Sequence, residues 1–375
     1  MDNETKFDLI TRNTEEVLTA EDLKQRIEQG VPLKHYIGFE ISGKVHLGTG
    51  LMTGLKVADF QKAGVDCSMF LATWHAWINN KLGGDFETIK RASVYFGEAL
   101  KVSLEVMGGD PEKLKMVRGD ELYHHNDEYW RCVVEIAKNM TLKRAMRGVT
   151  IMGRKEGDAI PLAFLFYPPM QVADIFNQGL TLAHAGMDQR KAHVIAREVG
   201  LKLKVNPIMH KQKQLKPVAI HHPLILGLQK PPMYPVPKDK IKDMLSELKM
   251  SKSVGGSSVF IHDSEEEIRQ KLNKAFCPEK DVDFNPIINW VENLIFTREK
   301  ETLLVERPEK FGGNIEYDSL VKLKHDFAKG DLHPLDLKKA VAEYLVKLLA
   351  PARKHFEKPK LKELKEEIEN IRLTR

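Results

Sequence analysis

Tyr36-Ile37-Gly38-Phe39-Glu40, then Ser42-Gly43-Lys44, then His46-Leu47-Gly48-Thr49-Gly50 is the stretch that decides the fold. Residues 36–40 alternate as a strand does, and Leu51–Ala58 after the glycine-bearing turn has helical spacing. Working outward, Val65–Ala72 is a nearly continuous apolar run, as a buried parallel strand requires. Residues 86–107 predict a long amphipathic helix with Phe86, Ile89, Val94, Phe96, Leu100, Leu104 and Met107 on its apolar positions. Leu114–Val117, Leu180–Ala183 and Val218–Ile220 read as further strands. Residues 126–148, 161–177 and 189–199 read as helices, the second interrupted at Pro168-Pro169. Alternating strands and helices predict an α/β fold with a doubly wound, Rossmann-like parallel sheet. Ligands of such sheets lie beyond the carboxyl ends of the strands, and the 42–50 turn occupies such an end.

Past Gly227 the texture changes. Pro231, Pro232, Pro235 and Pro237 cannot join a sheet ladder. Lys238–Leu248 reads as a short helix, followed by Lys249-Met250-Ser251-Lys252-Ser253 and Gly255-Gly256-Ser257-Ser258. Residues 228–258 therefore predict a mobile lid loop. Ser264-Glu265-Glu266-Glu267 is a capping box that opens a helix over 265–275. The remainder reads as mostly helical, including 333–356. The charged tail, with Leu361, Leu364, Ile368 and Ile371 at helical spacing, reads as a helix docked on its own chain. The expected organisation is a catalytic domain over 1–262, with a helical insertion at 101–150, and a helical domain over 263–375.

Composition narrows the class. With 375 residues, 42% of them hydrophobic, two folded units are expected. Charged residues make up 30%, and no apolar run reaches the ~18 residues of a spanning helix, so a membrane protein is excluded. The acidic, polar start shows no signal-peptide pattern. Three well-separated cysteines, Cys67, Cys132 and Cys277, fit neither a disulfide framework nor a zinc site, so a reducing cytoplasm is expected. The net charge of +5 is too small to signal nucleic-acid binding by itself. The local basic run Lys138, Lys143, Arg144, Arg147, Arg154 and Lys155 is a nucleic-acid candidate or simply a solvated helix face.

The chemistry lies in the two motifs. Gly43, Gly48 and Gly50 let an anion approach the backbone, and the helix N-terminus faces it with unpaired N–H groups. His46 adds a donor that can carry charge. The residues fit equally an ordinary strand-to-helix turn with a buried histidine. Lys249 and Lys252, three apart, can both reach one polyphosphate and stabilise charge that grows on it during attack. A solvated basic loop is the alternative.

Together these motifs resemble the HIGH and KMSKS signatures of class I aminoacyl-tRNA synthetases. The whole chain is similar to the archaeal and eukaryotic type of tyrosyl-tRNA synthetase. The resemblance continues through Tyr167-Pro168-Pro169-Met170-Gln171-Val172-Ala173-Asp174-Ile175 and Gly186-Met187-Asp188-Gln189-Arg190-Lys191. It extends through Arg307-Pro308-Glu309-Lys310-Phe311-Gly312-Gly313 and His333-Pro334-Leu335-Asp336-Leu337-Lys338. It implies activation of tyrosine by Mg-ATP and transfer to tRNA(Tyr), with ATP and magnesium as substrate and no resident metal. It implies that Tyr36 and Asp174 hold the tyrosine hydroxyl, and that Tyr167, Gln171 and Gln189 hold its amino group; an ionised Asp174 can accept from a phenol. His46, Thr49, Lys249 and Lys252 would serve the reacting phosphates, and Gly38, Glu40, Gly48, Met250 and Ser251 would bind ATP. Arg147, Arg190 and Lys191 would read the first acceptor base pair; Phe311 would stack on an anticodon base, with His333 and Asp336 contacting the first one. The resemblance also implies a homodimer through the inserted segment. Thr49 departs from the family, which has histidine there, and the stretch 227–248 is unusually long. Rival readings are a tryptophanyl-tRNA synthetase, a catalytically dead RNA-binding relative, and a small nucleotidyltransferase with a similar turn.

Overall fold

A computed structural model describes residues 1–153, 161–241, 244, 247–251 and 256–371. Its centre is a six-stranded sheet of β1 (Glu16–Leu18), β2 (Lys34–Glu40), β3 (Asp66–Ala72), β4 (Leu114–Arg118), β5 (Leu182–Gly186) and β6 (Val218–His222), in the order β1-β6-β5-β2-β3-β4. Five strands are parallel; β1 pairs antiparallel with β6 at one edge, an element the sequence reading lacked. From β2 the chain winds outward through β3 and β4, then restarts on the other side through β5 and β6. The crevice between β2 and β5 is thus the topological switch point, where open α/β sheets bind ligands.

The helix α3 (Leu47–Lys62) follows β2 and is buried along most of its length. It approaches α5 (Phe86–Val106) closely because Gly54 has no side chain: a Cβ there would lie 2.6 Å from the Ser103 carbonyl oxygen. Gly50 likewise faces Ser103 and Ile261, so it serves packing and not the approach of a phosphate, contrary to expectation. Buried Lys56 donates to the carbonyls of Leu9 and Arg12, capping the end of α1 (Asn3–Thr11).

The predicted helix 126–148 is two, α6 (Asp127–Lys138) and α7 (Leu142–Gly148), because the Thr141 side chain caps a fresh start. Pro168 and Pro169 do not interrupt a helix. They occupy the first turn of α8 (Tyr167–Asn177), where a missing N–H costs nothing. The expected insertion 101–150 also contains β4, a strand of the sheet itself. After β6, α10 (Glu265–Lys274) opens on the anticipated capping box. It packs on α12 (Pro334–Leu348), and the region is mostly helical apart from a hairpin of β7 (Leu303–Val305) and β8 (Ile315–Tyr317). The tail helix α14 (Pro359–Asn370) lies back on α5 as expected, with Ile368 buried and Arg91 paired to Glu367 at 2.7 Å. Phe356 packs on Tyr95 and His262, so one apolar core runs from the sheet into the C-terminal helices. A second apolar core gathers Tyr36, Phe70, Tyr123, Tyr129 and Phe176 beside the switch point. No described helix is long and apolar enough to cross a membrane.

Candidate active site

The two signature motifs meet. His46 caps α3: its Nδ1 accepts from the Thr49 N–H at 3.2 Å, and its Nε2 lies 3.3 Å from Thr49 Oγ1. Thr49 therefore orients the imidazole. Downstream, Met250 N–H donates to the Ile225 carbonyl at 2.8 Å, which lays Lys249–Ser251 along the segment after β6. The chain then returns beside the first motif, where Leu47 N–H bonds Val259 at 3.0 Å and Ile261 N–H bonds Val45 at 3.1 Å. Sequence-distant segments thus wall one cavity of about 650 Å³ at the carboxyl ends of β2 and β5. It is lined by His46, Gly48, Thr49, Lys249, Met250 and Ser251 on one side. Tyr36, Gly38, Glu40, Tyr167, Gln171, Asp174 and Gln189 line the other. Lys252 lies outside the described residues.

The deep end holds a buried acid ringed by phenols. Asp174, on α8, is 1% exposed, and its Oδ1 accepts from Tyr123 Oη at 2.7 Å and Tyr129 Oη at 3.1 Å. Those two rings stack with centroids 4.1 Å apart. His75 Nε2 lies 3.8 Å from Asp174 Oδ2. Burial pushes the Asp174 carboxyl up to about 8, against the two phenol donors that favour its ionised form. Near neutral pH burial thus works against the ionised form of Asp174, the form that accepts best from a phenol. Burial lowers His75 to about 3, so it is neutral. Tyr36 is buried beside Asp174, and bare Gly38 leaves room for its ring and hydroxyl, 3.3 Å from where a Cβ would stand. Burial, then the Asp174 charge, raises the Tyr36 phenol well above its ordinary range.

Between the ends sits an amide pair. Gln171 Nε2 donates to Gln189 Oε1 at 3.2 Å, and Gln189 Nε2 reaches the Ile151 carbonyl at 3.3 Å. That leaves Gln171 Oε1 buried with no partner among the described residues, an acceptor waiting for a donor. Glu40 accepts from Asn79 at 2.8 Å and faces Lys81 at 3.4 Å. Burial, then the charge of Glu40, raises the Tyr167 phenol well above its ordinary range. At the downstream motif, Lys249 Nζ is paired with Asp188 Oδ2. Burial opposes ionisation of Asp188, yet the charge and hydrogen bond of Lys249 prevail and hold its carboxyl below the usual range.

The family described as tRNA synthetases class I (W and Y) matches residues 28–350. A curated relative, a tyrosine–tRNA ligase of Thermococcus sibiricus, is 57% identical over 361 residues, 96% of each chain. The crystal structure of tyrosyl-tRNA synthetase complexed with L-tyrosine from Pyrococcus horikoshii superposes with a TM-score of 0.95 at 57% identity, covering 98% of this chain and 100% of that one. This chain belongs to the archaeal-type tyrosyl-tRNA synthetases of class I. The Plasmodium falciparum tryptophanyl-tRNA synthetase, at 17% identity, TM-score 0.66 and coverage of 98% and 92%, shares the fold alone.

The remaining predicted residues divide into two surface groups. Thr150 Oγ1 donates to the Arg147 carbonyl and accepts from Lys191 Nζ at 2.8 Å, so Arg147 and Lys191 share one exposed face. Arg190 is instead engaged bidentately by Glu16 at 2.8–3.0 Å. In the helical region Phe311 is 61% exposed, which disposes of its reading as a buried anchor. Arg307 fixes its turn: Nε donates to the Gly313 carbonyl at 3.0 Å and Nη1 to the Asp331 carbonyl at 2.8 Å. That brings the Phe311 turn to the start of α12, where exposed His333 is the cap and Asp336 lies in the first turn. Arg154 and Lys155 lie outside the described residues. Sequence reasoning missed Tyr123, Tyr129, His75 and Asp188 as site residues. Only Asp188 had a signal, its place inside the quoted 186–191 motif.

Proposed function

We infer that the chain works as a tyrosine–tRNA ligase through this cavity. The single observation behind the reading is that residues from five separate segments, matched one by one to the family, wall the same 650 Å³ space. Tyrosine enters with its hydroxyl toward Tyr36 and Asp174. Its ammonium group supplies the donor that the stranded Gln171 Oε1 lacks, beside Gln189 and Tyr167. Its carboxylate oxygen then faces the α-phosphate of ATP, held near His46, Thr49, Gly48 and the Met250–Ser251 backbone. The oxygen attacks phosphorus, the bond to the β-phosphate oxygen breaks, and pyrophosphate leaves. Lys249 stabilises that leaving charge once it exchanges Asp188 for phosphate. Magnesium arrives with ATP as part of the substrate. In the second step a hydroxyl of the terminal tRNA ribose attacks the tyrosyl carbonyl carbon and AMP departs.

The tRNA(Tyr) acceptor end meets Arg147, Arg190 and Lys191, and the anticodon meets Phe311, His333 and Asp336. An exposed aromatic ring before two glycines suits stacking on an unpaired base. The catalytic domain spans 1–262 and the RNA-reading helical domain 263–375. Val134, Leu142, Leu162 and Phe166, all exposed apolar side chains around α6 and α7, support a homodimer through that segment. The free cysteines Cys67, Cys132 and Cys277 support a reducing cytoplasm as the protein's compartment.

ATP–pyrophosphate exchange with each of the twenty amino acids tests the activity. Exchange supported by tyrosine is expected; exchange with tryptophan and none with tyrosine overturns it. Binding of tRNA without any adenylate formation would instead favour the catalytically dead relative.

A further inference from the structure

Five histidines lie buried in or against the sheet, and the mechanism above uses none of them. Three form a file across adjacent strands. His35 on β2 and His184 on β5 are wholly buried, and His222, at the end of β6, is 6% exposed and lines the cavity. His35 Nε2 lies 3.1 Å from His184 Nδ1, and His184 Nε2 lies 2.8 Å from His222 Nδ1. These are ring-to-ring hydrogen bonds. A shared tetrahedral metal would hold two imidazole nitrogens about 3.3 Å apart, wider than the 2.8 Å between His184 and His222.

Burial keeps all three rings neutral, lowering His35 to about 3 and His222 to about 4 and driving His184 well below its ordinary value. Each ring then carries one proton, and the file has two possible directions. His35 Nδ1 is buried with no partner among the described residues. If the file donated toward His35, that nitrogen would carry a stranded buried N–H, which proteins rarely tolerate. With the opposite direction it carries only a lone pair. His35 then donates to His184, His184 to His222, and His222 Nε2 is left holding a proton at the cavity wall.

The far end has a matching acceptor. A Cβ on Gly186 would stand 2.8 Å from Asp188 Oδ1 and 3.5 Å from His222 Nε2, so both atoms flank the space over one bare Cα. We propose that His222 is a specificity-determining residue of the nucleotide half of the site, locked by His184 and His35 as an Nε2–H donor to a sugar hydroxyl of the nucleotide. That hydroxyl accepts from His222 and donates to Asp188. This rests on the ATP-dependent reading above.

Two experiments test it. Nitrogen-15 NMR of the ligand-free protein labelled at its histidine rings, assigned with His222→Asn, is expected to show protonated Nε2 and bare Nδ1 at His222. The reverse tautomer overturns the proposal whatever the activity, and needs no variant that folds poorly. In tyrosine-dependent pyrophosphate exchange, His222→Leu is expected to raise the KM for ATP roughly tenfold, the weight of one buried hydrogen bond. The KM for tyrosine should stay put, and His222→Asn, which keeps a donor, should recover most of the loss. With 2′-deoxy-ATP or 3′-deoxy-ATP, whichever lacks the contacted hydroxyl, the wild type and His222→Leu should converge. An equal penalty with ATP and with both deoxynucleotides overturns the hydroxyl contact. Absence of exchange in the wild type would sink the ligase reading and leave the tautomer result standing.

Discussion

The two ends of the cavity are built in opposite ways. At the phenol end the central acceptor is already engaged by the protein and sealed in apolar packing: Asp174 with Tyr123 and Tyr129, beside buried Tyr36 and His75. At the phosphate end Lys249 is 39% exposed and rests on Asp188, itself 25% exposed. A partly exposed ion pair is worth about 0–1 kcal/mol, so a triphosphate can displace it cheaply. Rearranging a buried carboxyl with two phenol donors costs several times more. Under the proposed function, selection of the amino acid would thus be prepared during folding, whereas the catalytic charge would be put in place only when ATP arrives.

The largest effect that would break this contrast lies at Lys249. Lys249→Ala should lower kcat for pyrophosphate exchange by about 10²–10³, the usual loss for one transition-state donor. The KM for tyrosine should hardly move. If the two parameters shifted together, the ends would not be separable. At the other end, Asp174→Ala removes the acceptor and strands two tyrosine hydroxyls, at roughly 1.5–3 kcal/mol. Here the KM for tyrosine should rise by about tenfold or more, while kcat at saturation changes much less.

That same contrast governs what the chain discloses before folding. The phosphate end is made of contiguous residues, His46–Gly50 and Lys249–Ser251, and both segments were legible as motifs. The α/β alternation was legible too, because buried parallel strands are apolar runs. Tyr123 and Tyr129 were not: each sits on an ordinary amphipathic stretch and gains meaning only by converging on Asp174 from another element. The edge strand Glu16–Leu18 is three residues long and has no period to detect. Gly50 was misread because glycine spacing cannot distinguish an anion cradle from the close packing of two helices. The long stretch before Lys249 finds a physical role in the fold: Tyr234 donates to Asp281 at 2.8 Å and packs on Phe276, pinning it to the helical region.

A smaller effect separates the cavity from the RNA face. Phe311→Ala removes one exposed stacking surface, worth about 1–3 kcal/mol per base. The KM for tRNA in aminoacylation should rise, with pyrophosphate exchange unchanged. A fall in exchange would mean that Phe311 supports the fold and not an anticodon contact.

The dependence on pH is the sharpest probe of the phenol end, and Tyr129→Phe the smallest single change. Asp174 in the fold sits at about 8, against an ordinary value of 3.8, so between those pH values the folded protein holds a proton that the unfolded chain has lost. Its contribution to stability is therefore full below about pH 4 and declines as pH rises through 8, by at most about 1.4 kcal/mol per pH unit. Asp174→Asn should abolish that decline in denaturant unfolding. Tyr129→Phe deletes one donor that favours the ionised carboxylate, while its partner Tyr123 remains. The variant should be nearly as stable as wild type at about pH 5 and weaker by about 0.5–1.5 kcal/mol at about pH 9, where the lost bond is charge-assisted. A gap of equal size at both pH values would mean that the phenol end is organised around a neutral acid throughout. The substrate hydroxyl would then meet a donor at Asp174, and Tyr36 would be left as its acceptor.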